Sequence, residues 1–140
     1  MEFLASKDAK LIVVVLEVII LAGLFFGFYL IRFKKNRALH EKNQTAWVLF
    51  NLVPILFVML VSYPRMAAAN FMMPLIAIHA LVGTLSELLG IYLILRMKNM
   101  LPPGLRVKNF KRLMQITLTL WTLQALGGLY IYFSIYLQLK

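Results

Sequence analysis

The side chains of this sequence best suited to chemistry are two histidines and two carboxylates that lie inside or just before apolar segments. His40 precedes an apolar run that begins near Ala46, and His79 lies inside the segment IAIHALVGTLSELLG. An imidazole ligates haem iron or relays protons, and carboxylates in hydrocarbon are costly and commonly functional. Glu17 and Glu87 are these carboxylates. The absence of cysteine excludes disulfides, thiolate-bound zinc, iron–sulfur clusters and covalently attached c-type haem.

The segment around His79 places small and polar residues on one narrow helical stripe. At about 100° per residue, Gly83, Ser86 and Gly90 fall within about 60° of one line that includes His79. Such a stripe lets another helix pack closely, or lets the edge of a planar cofactor approach with His79 as axial ligand. Both interpretations stay open. A b-type haem is the cofactor that the second one predicts, and the sequence leaves the cofactor unknown.

A second stripe is predicted to face the bundle interior and consists of His40, Gln44, Trp47, Asn51 and Pro54. Pro54 leaves the carbonyl of Phe50 without its usual helical partner. The amide of Asn51 or a neighbouring helix is expected to satisfy that carbonyl. His40 is a weaker candidate ligand than His79, because a histidine at a basic membrane boundary is usually solvated.

Depth in the bilayer decides which of these groups can meet. His79 lies about 11 Å from the outer boundary, and His40 lies at the opposite face of a layer about 30 Å thick. The two imidazoles are therefore not expected to share one haem within a monomer. Glu17 lies about 9 Å below the outer boundary and Glu87 about 12 Å from the inner one, which excludes a carboxylate dyad. Each is expected to be neutral, to pair with a basic residue (Arg65 on the outer side), or to serve a proton path.

Composition and hydropathy provide the elements that position these groups. The chain of 140 residues is 62% apolar and 14% charged, against about 45–50% and about 25% in soluble domains. We therefore predict a membrane protein. The apolar runs long enough to cross a bilayer are Leu11 to Ile31, about Ala46 to Tyr63, about Met72 to Leu95 and about Leu113 to Leu137. Short connections predict one all-α domain over residues 1–140, an up-down membrane four-helix bundle.

The basic residues predict how this bundle is oriented. The net charge is +10, and eleven of the fifteen Lys and Arg lie in two connections, 32–45 and 96–112. The positive-inside rule places both connections in the cytoplasm and both termini outside, in a multi-pass protein of a prokaryotic plasma membrane. These loops are expected to attract anionic lipid headgroups. Nucleic acid is not an expected partner.

Polar positions in the last span indicate a protein partner. Gln115 and Gln124 lie on two different faces of that helix, so it carries two polar faces. Packing into the interior of one bundle requires only one polar face. Gly23 and Gly27 in the segment GLFFG offer a flat face to another helix, either internal or from a partner. We predict other membrane subunits or a homo-oligomer.

The order of these features resembles a known family. A basic loop with a histidine enters span two (RALHEKNQTAWVLFNLVPILFVMLVSYP), a histidine opens span three (IAIHALVGTLSELLGIYLILR), and a basic approach precedes an aromatic last span (NFKRLMQITLTLWTLQALGGLYIY). From Tyr29 to Tyr136 this layout is similar to small four-span prokaryotic membrane proteins linked to haem-copper oxidase assembly. His40 and His79 correspond to histidines of that family. Its further histidine before the last span has no counterpart at Asn109, Phe110 or Lys111.

Three functions follow as hypotheses. The leading one is a non-enzymatic accessory or assembly subunit of a respiratory, terminal oxidase-type complex, which the resemblance implies. The alternative is a b-type haem or pigment protein that carries electrons and uses His79. The weaker alternative is a proton-coupled transporter that uses Glu17 or Glu87. No nucleophile motif or phosphate-binding loop predicts an enzyme.

Overall fold

Four helices make up most of the described chain. The computed structural model describes residues 7–56 and 73–137, and these contain α1 (Lys7–Arg32), α2 (Arg37–Pro54), α3 (Met73–Met97) and α4 (Phe110–Leu137). A short 3-10 helix, Pro103–Leu105, lies in the connection between α3 and α4. No strand occurs in the described ranges. The predicted all-α class is confirmed.

Three of these helices are long and apolar enough to cross a membrane. The segments concerned are Leu11–Arg32, Pro74–Met97 and Phe110–Ser134. With 26, 25 and 28 residues, α1, α3 and α4 each exceed the roughly 30 Å of a hydrocarbon core. Their boundaries lie within four residues of the first, third and fourth predicted spans.

The second helix begins before its predicted span. Asn36 caps it, because its Oδ1 accepts a hydrogen bond of 3.0 Å from the backbone N–H of Leu39. The helix therefore starts at Arg37, in the basic connection, and carries His40 in its first turns. The predicted span from Ala46 continues to Tyr63, and its part from residue 57 onward lies outside the described residues.

Consecutive helices pack side by side, and α4 also packs against α1. In two of these contacts the paired residues follow each other in opposite order along the two helices. His40 and Asn43 of α2 bond to Gly27 and Gly23 of α1 respectively, so these two helices are antiparallel. Between α3 and α4, His79 lies near Gly127 and Gly90 lies near Trp121, so these two helices are also antiparallel. The helices therefore enclose a common interior.

The interior is small and the outer surface is apolar. Its core cluster consists of Ile20, Leu24, Val48, Ile94 and Trp121. Large apolar side chains on the outside stay exposed, for example Phe26 at 52%, Leu81 at 69% and Leu126 at 57%. A surface of this kind suits lipid hydrocarbon as its solvent.

Gly23 and Gly27 of α1 pack against α2, so the helix that they contact is part of this chain. A Cβ atom added at Gly23 would overlap the indole of Trp47, and one added at Gly27 would overlap the amides of Asn43 and Gln44. Only glycine lets the two backbones approach this closely.

We predict that Gly23→Leu destabilises the bundle by about 1–3 kcal/mol, because the new side chain displaces the Trp47 indole. Ala22→Leu is the matched control, since the adjacent Ala22 is exposed. The measurement is the free energy of unfolding in mixed micelles by titration with dodecyl sulfate. Equal stability of the two variants would contradict the close contact between α1 and α2.

Candidate functional site

A cavity of about 500 Å³ opens between the four helices at the end where the two basic connections lie. We call it the basic-end cavity. Its inner walls are mainly apolar, with the aromatic rings of Phe28, Phe110 and Trp121 and aliphatic side chains from all four helices. A volume of this size is within the range of small-molecule and cofactor sites. No pattern in the sequence predicted this cavity, because residues of all four helices line it.

Four cations surround this cavity and His40 lies on its wall. Arg32, Lys35, Arg37 and Lys111 line it and are all exposed at their outer ends. In the part of the chain that the structure describes, the one ion pair joins Lys98 Nζ to Glu41 at 3.8 Å. Glu41 also lines the cavity, so four cations there face one carboxylate and the opening keeps an excess of positive charge.

The imidazole of His40 is 3% exposed and held in one orientation. Its Nδ1 lies 2.7 Å from the backbone carbonyl oxygen of Gly27. A carbonyl only accepts, so Nδ1 is the donor and a neutral ring carries its lone pair on Nε2. Nε2 is buried and has no hydrogen-bond partner among the described residues. His40 is thus among the residues that line the cavity, while its Nε2 is covered by surrounding protein atoms.

The small-residue stripe of α3 packs against α4 and, at Gly90, also against Val48 of α2. A Cβ atom on Gly83 would lie 3.1 Å from Gln124 Nε2, and one on Gly90 would lie 3.6 Å from Trp121 Cζ2. Trp121 Nε1 donates a hydrogen bond of 3.0 Å to the carbonyl oxygen of Ser86. The stripe serves helix packing, which is the first of the two interpretations that the sequence allows.

At the other end of the bundle, His79 and Glu17 both approach the backbone of α4 at Gly128. The position of a Cβ atom on Gly128 lies 2.7 Å from Glu17 Oε2 and 3.3 Å from His79 Cε1. Sequence reasoning missed this neighbourhood, although the similar depths of the two side chains could have indicated it. The suggested partner Arg65 lies outside the described residues.

The second carboxylate bonds to an amide. Asn51 Nδ2 donates to Glu87 Oε2 at 2.9 Å, and both side chains are buried. Asn51 is therefore engaged across the helix interface, whereas the sequence suggested the backbone at Pro54 as one partner for its amide. Glu87 Oε1 has no hydrogen-bond partner among the described residues.

The glutamines of α4 lie on different sides of the helix. Gln124 is buried against Gly83, whereas Gln115 is exposed and also lines the basic-end cavity. On the same exposed side, Thr119 Oγ1 donates to the carbonyl oxygen of Gln115 at 3.0 Å. One polar face therefore packs inside and the other points outward.

The two histidines stay far apart. His40 contacts α1 at Gly27, and His79 lies at the level of Glu17. Ten residues of helix separate these two levels, which is about 15 Å. The described residues contain no group of three or more metal-ligating side chains.

Comparisons with protein-family models, with curated proteins and with solved structures found no match to this chain. The resemblance to proteins linked to oxidase assembly stays a prediction.

We predict that Asn51 and Glu87 stabilise the bundle as a pair. Asn51→Leu leaves the carboxyl of Glu87 without its amide donor, so we expect a loss of about 0.5–2 kcal/mol in the free energy of unfolding. Replacing both residues with Leu removes both polar groups and should cost less than the sum of the single changes. Gln115→Leu, at an exposed position, is the control. Strictly additive effects would show that the two side chains do not interact.

Proposed function

We propose that this protein is a multi-pass membrane protein that binds an amphipathic anion in the basic-end cavity and catalyses no reaction. The observation that carries the proposal is the combination of apolar walls with four cations at the opening. Burial of an apolar body along the walls supplies affinity, and the cations select a negatively charged end group.

The charge distribution supports an orientation for this site. The cavity lies at the end that carries most basic residues, which the positive-inside rule assigns to the cytoplasm of a prokaryotic plasma membrane. In this orientation both termini lie outside, and the four helices run up and down through the bilayer. A ligand enters from the cytoplasm or from the anionic inner leaflet.

We further propose an accessory or assembly role beside a respiratory, terminal oxidase-type complex. The exposed polar face of α4 at Gln115 and Thr119 supports a helix from another subunit, since a lipid-facing helix has little use for a glutamine. The resemblance in feature order supports the type of complex.

A fluorescent fatty acid tests the binding function. We expect dansyl-undecanoic acid to bind the full chain in neutral detergent, and its uncharged methyl ester to bind at least about tenfold more weakly, because the ester lacks the charge that the cations recognise. Arg32→Gln with Arg37→Gln and Lys111→Gln should weaken binding of the acid by about tenfold or more. Lys7→Gln with Lys10→Gln is the matched control at the other end. Equal binding of acid and ester would contradict the proposal.

Co-purification tests the accessory role. A tagged chain extracted in mild detergent should bring down subunits of a terminal oxidase, and Gln115→Leu with Thr119→Leu should reduce their recovery by severalfold, because the polar face loses its hydrogen-bonding groups. Thr84→Leu, on the exposed side of α3, is the control. Recovery of the chain alone, together with normal oxidase activity in a deletion strain, would overturn this role.

A further inference from the structure

We propose that the basic-end cavity holds a diacyl phospholipid with an anionic headgroup, drawn from the inner leaflet of the membrane. This inference rests on the proposed function, that the cavity takes an amphipathic anion, and identifies the chemical class of that anion. The observation that carries it is an apolar cavity between four helices, as deep as one leaflet, with cations around its opening.

The depth of the cavity corresponds to one leaflet. Its lining on α1 extends inward from Arg32 to Leu24, and its lining on α4 extends inward from Lys111 to Trp121. At about 1.5 Å per residue these stretches of helix are about 12 and about 15 Å long. A hydrocarbon core about 30 Å thick assigns about 15 Å to each leaflet. An acyl chain that starts at the level of the cations therefore ends near the indole of Trp121.

The width of the cavity fits the two chains of a diacyl lipid. Over a depth of about 12 Å, a volume of about 500 Å³ gives a mean cross-section of about 40 Å². Apolar groups in contact lie about 4.5 Å apart, so an extended acyl chain occupies about 20 Å². Two chains fill this section, whereas the one chain of a fatty acid leaves about half of it empty. A helix from a partner protein, about 10 Å or more in diameter, is too wide.

The cations at the opening favour an anionic phosphate headgroup. They come from the end of α1, from the connection after it, and from the starts of α2 and α4, and they are Arg32, Lys35, Arg37 and Lys111. The unesterified oxygens of a phosphate diester accept hydrogen bonds from guanidinium and ammonium groups. A phosphate at this level lies where the inner leaflet carries its own headgroups, so the lipid needs no change of depth to enter.

Glu41 is the one carboxylate among the described residues that line the cavity, and it discriminates between headgroups. It lies one turn after Arg37 on α2, and Lys98, which does not line the cavity, pairs with its Oε1 at 3.8 Å. The ammonium of a zwitterionic headgroup would compete with Lys98 for this carboxylate and would face the four cations. A phosphate without an ammonium meets the cations and avoids that repulsion. Anionic phospholipids are therefore favoured over zwitterionic ones.

Matched phospholipids test the headgroup. The full chain, stripped of bound lipid in neutral detergent, is titrated with dioleoyl phosphatidylglycerol or dioleoyl phosphatidylcholine, and native mass spectrometry measures the lipid occupancy. The two lipids have the same chains and a phosphate, and only the first carries a net charge. We expect phosphatidylglycerol to bind at least about tenfold more tightly. Glu41→Gln should strengthen its binding severalfold, because the opening loses its carboxylate.

Two triple variants test the position of the headgroup. Arg32→Gln with Arg37→Gln and Lys111→Gln should reduce the affinity for phosphatidylglycerol to that for phosphatidylcholine. The matched control removes the same charge at the same end, from exposed basic residues that do not line the cavity, as Lys34→Gln with Lys108→Gln and Arg112→Gln. It should keep most of the preference for phosphatidylglycerol, because only cations at the opening can bind a headgroup whose chains lie in the cavity.

A cavity-filling substitution tests the position of the chains. Met114 lines the cavity, so the indole of Met114→Trp should occupy the space of an acyl chain and weaken lipid binding by about tenfold or more. Leu123→Trp is the matched control, since Leu123 is 55% exposed on the same helix. Oleoyl lysophosphatidylglycerol, with the same headgroup and one chain, should bind severalfold more weakly than the two-chain lipid. Size-exclusion chromatography with circular dichroism checks that each variant is folded, and the triple variants decide if Met114→Trp does not fold.

Four results would overturn the inference: equal binding of the two dioleoyl lipids, equal effects of the two triple variants, unchanged binding by folded Met114→Trp, or equal binding of the one-chain and two-chain phosphatidylglycerols. If dansyl-undecanoic acid then still binds more tightly than its methyl ester, the amphipathic-anion function stands without the phospholipid. Absence of binding by phosphatidylglycerol and by dansyl-undecanoic acid would overturn both proposals.

Discussion

The structure depends on a row of hydrogen bonds that α2 donates to the backbone of α1. His40, Asn43 and Gln44 each donate to a carbonyl oxygen, those of Gly27, Gly23 and Leu24, at 2.7, 2.8 and 3.1 Å. These carbonyls already accept within their own helix, and their second lone pairs receive the side chains. Side chains reach them because Gly23 and Gly27 carry no Cβ atoms. These bonds hold the polar side of α2 against the apolar helix α1.

This contact also explains the polar character of α2. Over its described residues, α2 is not among the helices that are long and apolar enough to cross a membrane. The polar side of α2 is instead buried against α1 and α3. Asn51 bonds to Glu87 of α3, and His40 and its neighbours bond to α1. The same rotation of α2 places His40 among the residues that line the basic-end cavity. Packing and the proposed binding site therefore share one cause.

Polar side chains lie at different depths of the bundle. The basic-end cavity and His40 occupy one end, and Glu17 approaches His79 near Gly128 toward the other. Trp121 lies between these levels, lines the cavity and bonds to the backbone of α3. The indole closes the inner end of the cavity with an apolar surface. A ligand in the cavity is consequently separated from the carboxyl of Glu17 by packed core side chains, among them Ile20.

The sequence by itself determined the helical class and the three apolar helices, because length and hydropathy are local properties. It also predicted that His40 and Asn51 face the interior, since a period of 3.6 residues assigns faces. It could not assign partners: Asn51 with Glu87, Glu17 beside His79, and Trp121 on the stripe of α3 all join residues far apart in the chain. Only the tertiary structure decided these contacts, because they depend on helix rotation and separation. For the same reason the sequence did not predict the cavity, because residues of all four helices line it.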